Sequence, residues 1–324
     1  MKACSVAFTT QNLGLVMFHR GAVLQKTLKA PIHCTGVGLH SGVKAAMTLR
    51  PAGANTGILF RRLDVEGAPV EIPADWRHAV ESALCTILTD GQGTTIMTIE
   101  HLMSALSGCG IDNAIIDIIG PEVPIMDGSA APFVFLIECA GTVEQPAPRR
   151  FVKVLKPVHV EQGKASVALE PGDGFSVDFT IDFQNKVIAH QSTHVTVEPG
   201  VFKTEISRAR TFGFLAEVDQ LRAAGRALGG SLDNVIVIDG DKVLNEGGLR
   251  YTDEFVRHKA LDAIGDLYLA GSPLLGRFEG VCSSHALNRR VLDTLFADAD
   301  AWCYVTLADT AALDAWQEPA RATA

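Results

Sequence analysis

Val143-Glu144-Gln145-Pro146-Ala147-Pro148-Arg149-Arg150 is the sharpest break in composition along the chain. Two prolines with flanking charges suit an interdomain linker, and a length of 324 residues suits about two domains. Outward from this break, each side runs strands first and helices second. Before it, Gln25 to Arg62 is β-like, with Gly36, Gly38 and Gly42 as turns. A helix is expected from about Thr95 to Ser107, where Ile99, Leu102, Met103 and Leu106 recur at helical spacing and Gly108 acts as the stop. Ile111 to Ile119 reads as a buried strand and Ala131 to Ala140 as a second helix.

After the break, Val152 to Leu169 and Phe175 to Phe183 are strand-like. A short helix near Ala216 to Ala224 and the strand Val235-Ile236-Val237-Ile238 follow. A helix from about Asp253 to Ala270, N-capped by Thr252, and a last helix from near Asn288 complete the order. The expected class is α+β with two related halves, residues 23–145 and 150–310. A poorly ordered extension at 1–22 and a frayed tail at 311–324 flank them.

Hydrophobic residues make up 47% and charged residues 20%, enough apolar material for a full core. The net charge of -9 argues against a nucleic-acid partner, which needs clustered Lys and Arg, and still allows one small anionic ligand. The seven cysteines are odd in number, scattered, and contain no C-x-x-C pair, which reads as reduced thiols in a cytoplasmic protein. No apolar run approaches the ~18 residues of a membrane span. The first 22 residues lack a signal-peptide pattern, and Met17 is an alternative start.

Two distant segments carry candidate chemistry: Thr98-Ile99-Glu100-His101-Leu102-Met103 and Arg257-His258-Lys259-Ala260-Leu261-Asp262. His258 and Asp262 are four residues apart and point the same way on a helix. A further imidazole, His285, follows in Ser283-Ser284-His285-Ala286. Two imidazoles and one carboxylate leave a tetrahedral zinc with one open position for water, the layout of a catalytic site. Glu100, next to His101, is placed to take that water's proton. A blander reading competes. At 100° per residue, Val256, Ala260, Ala263, Ile264 and Leu267 gather on one side of the helix, and His258, Lys259, Asp262 and Asp266 on the other. A lone His-x-x-x-Asp on such a face is more often a solvated ion pair worth tenths of a kcal/mol.

Seven ordered motifs together resemble one family, the zinc-dependent UDP-3-O-acyl-N-acetylglucosamine deacetylases of lipid A biosynthesis in Gram-negative bacteria. They are Thr35-Gly36-Val37-Gly38-Leu39-His40-Ser41-Gly42, Thr98-Ile99-Glu100-His101-Leu102, Pro124-Ile125-Met126-Asp127-Gly128-Ser129-Ala130 and Ser207-Arg208-Ala209-Arg210-Thr211-Phe212-Gly213-Phe214. Leu244-Asn245-Glu246-Gly247-Gly248-Leu249-Arg250, the run from His258 through Leu267, and His285-Ala286-Leu287-Asn288 complete the set, which spans about Lys26 to Thr306.

The resemblance implies the following. His101, His258 and Asp262 are the zinc ligands, with Fe2+ as an alternative occupant. Glu100 is the general base. His285 is a protonated second catalytic group, and Asp266 orients it. Thr211 helps hold the oxyanion. Lys259 lies near the substrate's phosphate and sugar, and Phe183 and Phe212 line the nucleotide and sugar sites. The fold would have two domains, each a sheet with helices, and helices sandwiched between the two sheets. An insert near Phe214 to Ile238 would form a passage for the fatty acyl chain, lined by Leu215, Val218, Leu221 and Val237.

The substrate would be a small acylated UDP-sugar, handled by a cytoplasmic monomer with loose peripheral membrane contact. Two departures stand out. Cys282-Ser283-Ser284 replaces the family's frequent Lys-Ser-Gly, which removes a cation near the diphosphate and restricts the loop at Ser284. The N-terminal extension has no family counterpart.

The residues alone keep other readings open. Thr211 could brace a turn, Phe183 and Phe212 could be core, and Lys259 could pair with Asp262 or Glu279. Cys85 reads as a buried, inert thiol, and Asp127 and Asn113 as loop-bracing groups. Alternative functions are a zinc amidohydrolase for another N-acylated sugar and a non-catalytic metal-binding protein.

Overall fold

A computed structural model describes residues 23–306. The readings for residues 1–22 and for the tail lie outside the described residues. A five-stranded sheet comes from the first half, in the spatial order Ile32–Val37, Lys44–Pro51, Ala114–Ile119, Ile58–Arg62, Val70–Pro73. A seven-stranded sheet comes from the second half and is built around Leu274–Val281. That strand pairs parallel with Arg150–Val154 and Phe175–Asp182 and antiparallel with Ala165–Glu170.

Alternation decides which faces are buried. Ala45, Met47 and Leu49 point inward from one strand, and Phe175, Val177, Phe179 and Ile181 from another. Six α-helices accompany the sheets among the described residues. These are α1 (Glu100–Gly108), α2 (Ala131–Ala140), the single turn α3 (Pro199–Val201), α4 (Leu215–Ala223), α5 (Glu254–Leu267) and α6 (His285–Ala297). α2 packs on the first sheet, α5 and α6 pack on the second, and α1 lies against α2 and α5.

α5 approaches α1 tightly at Gly265. A Cβ there would sit 2.0 Å from the Glu100 carbonyl oxygen, so only glycine lets the two helices cross this tightly. The crossing brings the start of α1 beside the C-terminal half of α5.

Several local expectations change. The supposed linker is a strand, Thr142–Pro148, antiparallel to Leu24–Leu28. Its prolines are tolerated because a two-stranded ribbon leaves N–H positions that need no partner. Arg149, read as a linker charge, is buried and paired with Asp112 at 2.7 Å.

The helix expected from Thr95 is first a strand, Thr95–Met97, and becomes helical only at Glu100. The strand expected from Ile111 starts at Ala114. Thr252 does not cap α5, because Asp253 occupies that position without a side-chain cap. The last helix begins at His285, where the Ser284 hydroxyl accepts from the Leu287 N–H. Ser284 has φ −130°, ordinary extended backbone, so it does not restrict the loop. Cys282 carries the left-handed φ of +49° instead.

Cys34, Cys85, Cys109, Cys139 and Cys282 are free thiols. No helix among those residues is long and apolar enough to cross a membrane.

Candidate metal centre

Thr98, two residues before Glu100, has φ +56°, a region that β-branched residues rarely enter. Its hydroxyl donates to Glu122 Oε1 at 2.7 Å. The fully buried Glu122 also accepts the backbone N–H groups of His40 (2.9 Å) and Ser41 (2.8 Å). This bonding offsets the cost of the sharp turn and holds the start of α1 in place.

His258 and Asp262 are one turn apart on α5, as their spacing predicts. The polar face that carries them is not solvated. It is pressed against α1, and His258, Asp262 and Asp266 are all buried. Nε2 of His101 and Nε2 of His258 stand 3.5 and 3.3 Å from the same oxygen, Asp262 Oδ1. The three side chains form a group able to hold a metal ion, with donor atoms within 4.8 Å of one another.

Two details fit that role. Asp262 Oδ1 is buried and accepts no hydrogen bond among the described residues, a costly state unless a cation satisfies it. His258 Nδ1 donates to the Ala209 carbonyl at 3.1 Å, which leaves the Nε2 lone pair free to ligate. Burial lowers the His258 pKa to about 3, so the ring is neutral, as a ligand must be. Asp262 Oδ2 meets Lys259 Nζ at 2.6 Å. Burial pushes Asp262 up, but His258 and Lys259 outweigh it and hold the carboxyl well below its usual range. The surface ion pair of the bland reading is thus a buried one.

A second cluster stands beside the first. His285 Nδ1 donates to Asp266 Oδ2 at 2.8 Å, and its Nε2 is 3.9 Å from both Glu100 Oε1 and Asp262 Oδ2. Burial lowers the imidazole pKa, but Asp266 beside it prevails and raises it to about 9. Glu100 Oε2 accepts from the Thr86 N–H at 3.0 Å. Burial raises the Glu100 carboxyl above its ordinary value, against the pull of His285 and His101. The site therefore holds a carboxylate suited to take a proton and an imidazolium suited to give one, side by side.

A cavity of about 340 Å³ opens over these groups. Glu100, His101, His258, Lys259, Asp262, His285, Thr211, Phe183 and Phe212 all line it. Thr211 is held through its backbone on both sides, by Gly128 O at 2.9 Å and by the Ile236 N–H at 2.8 Å. Phe183 and Phe212 meet edge to face, with centroids 5.9 Å apart and both rings half-buried. Leu215 and Val218 lie outside this wall, and Leu215 is 43% exposed. Phe214 and Glu217 take that side. Asp266 lies behind His285.

Sequence reasoning assigned nothing to Thr86, Glu122 or the Ala209 carbonyl, and included Asn288 only as part of a motif. Asn288 Nδ2 donates to Asp266 Oδ2 at 2.9 Å. Asn288 is three residues from His285, a spacing that would have revealed it had α6 been started at His285. No sequence signal pointed to Thr86, whose partner Asp266 is 180 residues away.

The chain is 55% identical to the UDP-3-O-acyl-N-acetylglucosamine deacetylase of Acidithiobacillus ferrooxidans over 89% of its length and 94% of that protein. It is 51% identical to the deacetylase of Stenotrophomonas maltophilia over 90% of its length and 96% of the relative. For the deacetylase of Chromohalobacter salexigens the figures are 50%, 89% and 95%. Residues 25–297 match the LpxC family, described as UDP-3-O-acyl N-acetylglycosamine deacetylase, and the chain belongs to that family.

Proposed function

We propose that this cleft hydrolyses the N-acetyl group of UDP-3-O-acyl-N-acetylglucosamine to acetate and the free 2-amino sugar, the committed step of lipid A biosynthesis. The observation that carries the reading is the unpartnered Asp262 Oδ1 facing two imidazole Nε2 atoms, with Glu100 and His285 alongside. His101, His258 and Asp262 would hold the ion. Zn2+ suits two nitrogens and one oxygen, and Fe2+ is an alternative. When bound, such an ion lowers the pKa of water and polarises a carbonyl.

The chain's own groups do the rest. Glu100 Oε1 accepts a proton from the attacking water as its oxygen bonds to the acetyl carbon. The Thr211 hydroxyl and the His285 Nε2–H donate to the oxygen on which negative charge develops, each such donor being worth about 10²–10³ in rate. The C–N bond then breaks, and the departing nitrogen takes a proton from His285 or from Glu100. Asp266 keeps the imidazole oriented, with its Nδ1–H engaged and its Nε2–H toward the cleft. Lys259, Phe183 and Phe212 line the sugar and nucleotide side. The acyl chain runs along the insert near residues 214–238.

Residues 23–145 and 150–310 serve as domains I and II in this reading. The enzyme works as a cytoplasmic monomer, with loose membrane contact suited to an acylated substrate. The test is acetate release from the acylated UDP-sugar, with and without a chelator, for the parent protein and for Glu100→Ala. Loss with the chelator, and loss in Glu100→Ala with the ion retained, is expected. Undiminished turnover by Glu100→Ala would remove the base assignment.

A further inference from the structure

Thr86, next to Cys85, has no role from the sequence, yet it bonds to both carboxylates behind the proposed proton transfers. Its backbone N–H donates to Glu100 Oε2 at 3.0 Å. Its hydroxyl lies 2.5 Å from Asp266 Oδ1. Asp266 Oδ2 accepts from His285 Nδ1 and Asn288 Nδ2. A carboxylate has no hydrogen to give, so the Thr86 hydroxyl is the donor. Its 3.3 Å approach to His285 Nδ1 is then packing, because the Nδ1–H is engaged by Asp266. The Thr86 carbonyl accepts the Ile99 N–H at 3.4 Å, immediately before Glu100, which ties the loop to the start of α1.

We infer that Thr86 is a positioning residue that sets the distance between the proton acceptor Glu100 and the proton donor His285. Its amide holds Glu100 Oε2, so that Oε1 faces the cleft. Its hydroxyl holds Asp266, which fixes the imidazole plane with Nε2 3.9 Å from Glu100 Oε1. Without the hydroxyl, Asp266 Oδ1 loses this donor, and only His285 and Asn288, both on Oδ2, still hold the carboxylate, so its plane and that of the imidazole are less firmly set. A misplacement of about 1 Å at a reacting group costs on the order of 10²-fold in rate. Removing an outer-shell hydrogen bond typically costs about 10–100-fold. The inference rests on the catalytic roles proposed above for Glu100 and His285.

The experiment is steady-state kinetics of the metal-loaded enzyme on acylated UDP-N-acetylglucosamine for Thr86→Val, Thr86→Ala and Thr86→Ser. Metal content and thermal unfolding are measured on each, and Glu100→Ala and His285→Ala are run in parallel. In Thr86→Val, kcat is expected to fall about 10–100-fold with KM and bound metal unchanged, and Thr86→Ser is expected to recover most of the loss. If the valine variant does not fold, Thr86→Ala carries the same expectation. A parent-like kcat in the folded Val or Ala variant would overturn the inference, as would an equal loss in Thr86→Ser or a loss that follows metal content. Parent-like turnover by Glu100→Ala or His285→Ala would overturn the proposed roles and this inference with them. If those two are inactive and the Thr86 variants are not, the inference alone fails.

Discussion

His258 Nε2 stands 3.3 Å from Asp262 Oδ1, one turn along the same helix, and that oxygen accepts no hydrogen bond among the described residues. A buried anionic oxygen in that state calls for a cation. The purified protein is therefore expected to carry about one divalent ion per chain, lost in Asp262→Ala. Chelation should abolish acetate release and lower the melting temperature. An ion at 100 times its Kd stabilises the fold by about 2.7 kcal/mol. Elemental analysis with and without chelator checks this, and full activity in metal-free protein would contradict it.

The pH profile follows from Glu100 and His285. Burial raises the Glu100 carboxyl, and the base must be ionised, so rate climbs as pH rises through that raised value. Burial lowers His285 but Asp266 prevails, lifting it to about 9; the acid must be protonated, so rate falls as pH passes through its value. A bound divalent ion repels that proton. In the holoenzyme the falling limb should thus lie between the ordinary imidazole value of about 6.5 and about 9. His285→Gln should lose the limb and about 10²–10⁴ of kcat while keeping the ion.

The same shift has a sign for stability. The folded-state pKa of His285 lies above its unfolded value, so its pairing stabilises the apo-protein fully below about pH 6.5 and is lost as pH rises through about 9. The gap in urea midpoint between the parent and His285→Gln should shrink across that window. A gap that widens with pH would reverse the assignment.

Gly265 leaves no room for a side chain, since a Cβ would meet the Glu100 carbonyl oxygen at 2.0 Å and the Ser104 nitrogen at 3.0 Å. Gly265→Ala must push α5 away from α1. Overpacking of this kind costs about 1–3 kcal/mol, and here the same displacement moves His101 away from His258 and Asp262. Denaturation midpoint and metal affinity should both fall. A loss of stability with unchanged metal affinity would show that the crossing does not set the site.

Glu254 is fully buried at the start of α5. It accepts from Arg210 N (3.0 Å), Nε (2.8 Å) and Nη2 (3.0 Å) and from Arg250 N (2.6 Å). Glu254→Ala strands the Arg210 guanidinium and should cost about 3–5 kcal/mol in a denaturant titration. His258 sits one turn further on, so metal affinity should drop as well. A change below about 1 kcal/mol would mean that Arg210 finds other partners.

The elements legible in the chain are those that local periodicity specifies. Ala131–Ala140 forms the expected helix, the alternation of Phe175 to Ile181 forms the expected strand, and the four-residue spacing of His258 and Asp262 places both on one face. Where the reading failed, contacts from elsewhere overrode the local signal. The prolines of Thr142–Pro148 join a strand because Leu24–Leu28 lies alongside. The helical spacing before Glu100 is interrupted by Thr98, whose left-handed turn is held by Glu122. The candidate site was legible at Glu100, His101, His258, Asp262 and His285, residue types whose chemistry shows wherever they stand. Thr86 was not, because a hydroxyl is informative only once its partner is known.

By itself, then, the order of residues determined which side chains share a helix face and which motifs the chain carries, since both depend on spacing along the backbone. Only the tertiary structure decided that the polar face of α5 is buried against α1, and that one oxygen of Asp262 faces imidazoles from two helices. Those facts depend on the Gly265–Glu100 crossing, a contact between segments 165 residues apart that no local pattern encodes.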